Sequence, residues 1–172
     1  DYGNWPQYVS DMNLTHRSWL EEIPSKKVHD KQICLQPKGE GHGGALSKHV
    51  CIHKFYWEVL LEAIRNKGYQ PCVLGVPEEA SEYPRKPEED FTHLTLWEQA
   101  QMVKGADLVI AADSWSKNLS LFAEVPTMIF RNFFIHATDD KTKFEDPADP
   151  IFLDMWRDKG AQVTIIEQRQ PH

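Results

Sequence analysis

The run Ala106-Asp107-Leu108-Val109-Ile110-Ala111-Ala112-Asp113-Ser114-Trp115-Ser116-Lys117-Asn118-Leu119 says more about this chain than any other. It opens as a short apolar segment of the kind buried in a parallel sheet, and it stops on Asp113-Ser114. A helical pattern begins at once. In a parallel α/β sheet such a junction lies at the carboxyl end of a strand, beside a helix N-terminus. Open α/β sheets bind ligands there, and the N–H groups and dipole of the helix end favour phosphate. The run therefore points to a domain that binds a nucleotide or a phosphosugar.

The flanking sequence repeats the alternation. After the predicted strand 107–112 and helix 116–124, Pro126 precedes a strand near Thr127–Phe130. Upstream, Thr95-Leu96-Trp97-Glu98 is a capping box that opens a helix, and Gly105 closes it. Before that come a Pro/Glu-rich loop at 76–91 and a strand from Gln70 to Gly75, whose start Pro71 weakens. A helix from about Lys54 to Lys67 carries Tyr56, Val59, Leu60, Ala63 and Ile64 at helical spacing, with Gly68 as its stop. The first strand is Gln32 to Gln36, followed by a glycine-rich loop from Pro37 to Gly44. A loop at 131–149, a helix of about 151–159 and a strand at 162–166 complete the series. Strands separated by helices imply right-handed βαβ units, hence a parallel sheet with helices on both faces. Residues 1–31 read as a polar, aromatic lead-in segment, and 32–172 as the domain.

With 172 residues, 41% of them hydrophobic and 26% charged, the chain can build one well-cored domain. No run is long enough to span a membrane. A net charge of −7 argues against a general nucleic-acid or anionic-membrane binder, yet a local basic pocket for phosphate is compatible with it. Cys34, Cys51 and Cys72 form no disulfide framework, and Cys34 and Cys72 sit in apolar runs as buried thiols do. A reducing, cytoplasmic compartment fits that pattern.

The order of motifs resembles a known family. A strand ending in Gln36-Pro37 is followed by a strand ending in Gly75, then Leu94-Thr95-Leu96-x-Glu98, Ala106-Asp107-Leu108-Val109-Ile110, Asp113-Ser114 and Glu124-Val125-Pro126-Thr127. This is similar to the C-terminal, nucleotide-sugar-binding half of GT-B glycosyltransferases, in particular the ADP-heptose heptosyltransferase family, over about residues 32–130. The resemblance implies a Rossmann-like α/β domain that forms one half of a GT-B fold. In the family the third strand runs into Asp-Ser-Gly-Pro-x-His-Leu-Ala. Here Asp113, Ser114 and Leu119 match, while Trp115 and Asn118 replace the glycine and histidine that line the family's donor pocket.

Each candidate residue also has a plainer reading. Asp113 and Ser114 are placed to bind the sugar hydroxyls or diphosphate of a donor, or simply to cap a helix. Lys117 adds a charge-assisted phosphate contact in the first helical turn. Trp115 either stacks on a ring or plugs the pocket, and Asn118 stands where the family has histidine. Lys38 and the loop from Gly39 suit phosphate through backbone N–H groups, or are ordinary surface. Gly75 and Glu78 follow another strand end, where Glu78 holds a ribose hydroxyl or is solvated. His49, Cys51 and His53 alternate, but a closed zinc site needs four ligands and no second pair stands at suitable spacing. His93 and His136 are candidate polar groups of a pocket. The acidic residues of 139–149 lack the order of a calcium loop, and no metal is expected.

The reading is a GT-B donor-binding domain that transfers a sugar from a nucleoside-diphosphate sugar to an acceptor hydroxyl. The nucleotide sugar is substrate and no cofactor is implied. The catalytic base is not identified, since such enzymes commonly take it from an N-terminal domain, which is expected to lie outside this sequence. The alternative is a non-catalytic binding or assembly module that keeps the half-fold. Trp115, Asn118 and the aromatic lead-in favour it, and that segment is suited to cover a partner or a second copy of the chain. A nucleotide-sugar epimerase would need paired acid and base residues that are not seen.

Overall fold

In the computed structural model, which describes residues 21–39, 51–112, 114–132 and 162–168, every predicted apolar run becomes a strand. The strands are β1 (Gln32–Gln36), β2 (Gln70–Val73), β3 (Leu108–Ala111), β4 (Thr127–Asn132) and β5 (Val163–Gln168). All pair in parallel, in the order β2-β1-β3-β4-β5. The helices are α1 (Lys54–Asn66), α2 (Pro77–Ala80), α3 (Leu96–Lys104) and α4 (Trp115–Phe122). The expected helix at about 151–159, the acidic residues of 139–149, His49 and His136 lie outside the described residues.

Local chemistry fixes the boundaries. α1 ends on Gly68 at φ +74, with Gly68 N–H donating to Arg65 O and Tyr69 N–H to Ile64 O. That is a Schellman closure, and Tyr69 packs near Ile64 as the motif favours. α3 opens with the capping box: Glu98 N–H donates to Thr95 Oγ1, and the Glu98 carboxylate accepts from Thr95 N–H at 2.9 Å. The loop expected at 76–91 holds α2 and a 3₁₀ turn at Pro87–Glu89. Both begin on a proline, whose fixed φ suits a first helical position, and both are too short to show a period.

Pro71 is accommodated because β2 is an edge strand. Gln70 and Leu74 donate to Lys31 O and Leu35 O of the β1 strand and its flank, so residue 71 faces outward in the ladder and loses no bond there.

Alternation along the strands builds two core layers. On one face Ile33, Leu35, Val73 and Ile110 meet Trp57, Leu61 and Ile64 of α1, with Ala80 and Tyr83. On the other, Cys34, Cys72, Leu74, Val109 and Ala111 meet Met102 and Val103 of α3, with Leu119 of α4 packed against them. The sheet is thus covered on both faces, as expected for a doubly wound fold.

The described end of the lead-in docks on α3. Ile23 is buried beside Ala100, Trp115, Leu119 and Phe122. Lys26 N–H donates to Gln101 O, Lys104 Nζ to Ile23 O and Val28 N–H to Gln32 Oε1. Backbone passes so close to α3 that a Cβ on Gly105 would lie 2.4 Å from Lys26 O.

Candidate functional site at the carboxyl edge of the sheet

The strand order makes the site. β1 lies between β2 and β3, and the chain leaves β1 toward α1 on one face and β3 toward α4 on the other. The carboxyl ends of β1 and β3 therefore form a topological switch point, the usual binding crevice of an open α/β sheet. Lys38 and Gly39 follow β1 there, and Ser114, Trp115, Lys117 and Asn118 follow β3. Gly75 ends the neighbouring β2 segment. Glu78 lies further out, exposed on α2 past the edge strand. Asp113 lies outside the described residues.

Gly75 has φ +115, which L side chains rarely adopt, so the turn away from β2 requires glycine. Gln99 of α3 clamps it: Gly75 N–H donates to Gln99 Oε1 at 2.8 Å, while Gln99 Nε2 donates to Gly75 O at 3.1 Å and Leu94 O at 2.9 Å. Beyond β1 the feet of the glycine-rich loop are tied together. Lys38 bridges Cys51, and Ile52 N–H donates to Pro37 O at 2.7 Å.

At α4 the plainer reading of Ser114 meets a geometric difficulty. Ser114 occupies the N-cap with extended backbone, yet its side chain makes no capping bond. Its Oγ lies 3.1 Å from Ser116 Oγ instead. Ser116 and Lys117 are both buried, Lys117 at 5% exposure, and the first turn holds no acidic residue. A lysine thus sits in the first turn at the positive end of a helix, an end that favours anions. Asn118 is exposed. Trp115 is half-buried and packs toward Ile23 and Ala100, so its indole wedges α4 against α3.

The sequence reading missed the glutamines. Gln32, Gln36, Gln99 and Gln168 are all buried. Gln99 carried a signal, because it shares the inward stripe of α3 with Met102 and Val103. Gln168 Oε1 accepts from His53 N–H at 2.7 Å and its Nε2 donates to Cys51 O at 2.9 Å, a tie across more than a hundred residues that no local pattern reveals.

Elsewhere the molecule offers less. A depression of about 530 Å³ at the amino ends of β1 and β2 includes Lys31, Arg65 and Tyr69, on the edge opposite the switch point. Its cations are engaged, Arg65 with Glu89 and Lys31 over the Tyr69 ring at 5.6 Å. His93 is exposed and stacks on Phe91. Among the described residues no three His, Cys, Asp or Glu side chains group to hold a metal, and no helix is long and apolar enough to cross a membrane.

Two solved structures share this architecture. Escherichia coli ADP-heptose LPS heptosyltransferase II superposes with a TM-score of 0.54 at 15% identity, over 90% of this chain and 44% of that one. E. coli heptosyltransferase WaaC, solved with ADP-2-deoxy-2-fluoro heptose, gives 0.51 at 13% identity, over 90% and 41%. The chain has a partial heptosyltransferase-like fold. At these identities the likeness is one of fold, consistent with half of a GT-B arrangement, and the chain spans less than half the length of either heptosyltransferase. No family model matches the sequence, and no curated protein does.

Proposed function

We propose that the chain is the donor-binding half of a GT-B glycosyltransferase and holds a nucleoside-diphosphate sugar at the carboxyl ends of β1 and β3. The observation that carries this reading is Lys117, a buried cation in the first turn of α4 at the switch point. A helix N-terminus carries about half a positive charge, so lysine there adds to the same field, and a diphosphate is the anion such a field suits. Ser114 borders that position, Asp113 precedes it in the sequence, and Lys38, Gly39 and Gly75 follow the neighbouring strands across the crevice. In transfer, the bond from the anomeric carbon to the diphosphate oxygen breaks with its electron pair leaving on the diphosphate, and the acceptor oxygen bonds to the anomeric carbon. The acceptor proton passes to a base that a second, N-terminal domain supplies. The helix end and Lys117 stabilise the departing charge. A reducing, cytoplasmic setting suits the three free thiols.

A thermal-shift screen against UDP-, GDP-, ADP-, CMP- and dTDP-sugars tests this. A ligand at a hundred times its dissociation constant stabilises the native state by about 2.7 kcal/mol. One nucleotide class is expected to raise the melting temperature, and Lys117→Met to abolish the rise. Stabilisation that survives in Lys117→Met refutes the placement. No stabilisation by any donor favours the non-catalytic module.

A further inference from the structure

We infer that Gln36 accepts a hydrogen bond from the bound donor molecule and so reads its non-phosphate part; this rests on the donor-domain reading above. Among the described residues four glutamines are buried, and three have both ends of the amide bonded. Gln32 accepts from Val28 N–H and donates to Met102 O. Gln99 clamps Gly75, and Gln168 ties Cys51 to His53. Gln36 differs. Its Nε2 donates to Lys38 O at 3.2 Å, while its Oε1 is buried without a partner.

The orientation of that amide is set by its surroundings. Reversing it would place Oε1 against the Lys38 carbonyl, oxygen to oxygen, so the unpartnered atom is the acceptor. An unsatisfied buried acceptor is costly and rare in native proteins. Among the described residues two other buried atoms have no partner, Arg85 Nε and His53 Nε2. The Arg85 guanidinium already bonds Ala80 O, Tyr83 O and Asp90, and His53 stands at the head of α1 beside Tyr56.

Gln36 instead lies at the switch point, as the last residue of β1, with 3% exposure. Alternation puts its side chain on the face of Cys34, which α3 and α4 cover. The amide rests against Gly75, where a Cβ would come within 3.7 Å of Gln36 Cγ and 3.8 Å of Nε2. An amide oxygen pairs with O–H or N–H. The diphosphate offers only acceptors at neutral pH, so Gln36 faces a hydroxyl of ribose or sugar, or an N–H of the base.

Gln36→Met removes both amide atoms and keeps the stem. Dissociation constants of this chain and the variant are measured by calorimetry for the nucleotide that stabilises the wild type, with and without its sugar. The variant is expected to bind about tenfold more weakly while melting within about 4 °C of wild type. Weakening toward both ligands assigns the contact to the nucleoside, and weakening toward the nucleotide sugar alone assigns it to the transferred sugar. Equal binding by both proteins overturns the inference and leaves the donor-domain reading standing. A wild type that binds neither ligand removes that reading and the inference with it. If the variant fails to fold, the ¹⁵N-labelled wild type decides: the Gln36 side-chain amide signals shift on saturation, or the inference is wrong.

Discussion

Replacing Gly105 by alanine separates two explanations of why that residue ends α3. As a helix C-cap with φ −94, Gly105 adopts a conformation open to any residue, so chain entropy alone predicts that alanine stabilises by about 0.4–1 kcal/mol. The structure predicts the opposite sign. A Cβ there would lie 2.4 Å from Lys26 O and 2.7 Å from Lys26 C, both backbone atoms. Ordinary contact begins at 3.4 Å, so the Lys26 carbonyl must retreat by about 1 Å. Overpacking of this kind costs about 1–3 kcal/mol. Complete detachment sets the ceiling: the Lys26–Gln101 and Lys104–Ile23 hydrogen bonds at about 1 kcal/mol each, plus about 1.5–3 kcal/mol for exposing Ile23. After the entropy gain we expect a net loss of about 0.5–2.5 kcal/mol, a fall in melting temperature of about 1–10 °C. Thermal unfolding gives the sign, and hydrogen exchange at Lys26 N–H should quicken if the strain lies in the docked segment. A melting temperature unchanged or raised would show that this backbone approach is not a constraint.

Two further expectations concern charge and thiols. Burial pushes the Glu89 carboxyl up, but bonds from Arg65 at 2.7 and 2.6 Å and from Lys86 N–H outweigh it and hold the group below the usual glutamate range. Its stability contribution is therefore present above the unfolded value near 4.5 and is lost as pH falls through the lower folded value. Arg65→Met should cost about 2 kcal/mol in urea unfolding at pH 7, less than a fully buried pair because Arg65 is 33% exposed, and the deficit should shrink at pH 3. A deficit independent of pH would assign the loss to packing. For the thiols, burial pushes Cys34 well above its ordinary range and Cys72 up to about 12. A thiol reagent should therefore modify at most one cysteine of the native chain and all three after unfolding. Three reactive native thiols would contradict the two-layer core.

Local signals in the sequence were reliable where chemistry is local. The box Thr95-x-x-Glu98 and Gly105 bound α3 because a capping bond involves residues three apart, and Gln32–Gln36 reads as a strand because its centre, Ile33–Leu35, is the short apolar run of a buried strand. The strand order was not legible. It depends on which edges meet, and only the pairing of β1 with both β2 and β3 creates the switch point. Lys38, Gly75 and Ser114 could each be nominated from a strand end, and Gly75 was expected to line the same crevice, but the strand order that sets β1 between β2 and β3 was not readable. Trp115 shows the limit most plainly. Stacking and plugging were the alternatives at a substituted family position, and packing against Ile23 requires a lead-in segment more than ninety residues earlier to return to α3.

The glutamines connect fold and site. Strand ends leave backbone groups that the ladder does not satisfy, and a long neutral amide can donate and accept at once without the penalty of a buried charge. Gln32 does this at the amino edge. Gln99 and Gln168 do it at the carboxyl edge, where they fix Gly75 and the segment 51–53 against α3 and β5. The crevice is therefore braced by uncharged groups. On the proposed donor-binding reading, a frame held this way would need little reorganisation as charge develops on a leaving diphosphate. In such a frame Gln36, with one end fixed on Lys38 and the other unpaired, cannot be explained as another brace. A structural amide at that position would have its oxygen bonded within the protein, as the other three do.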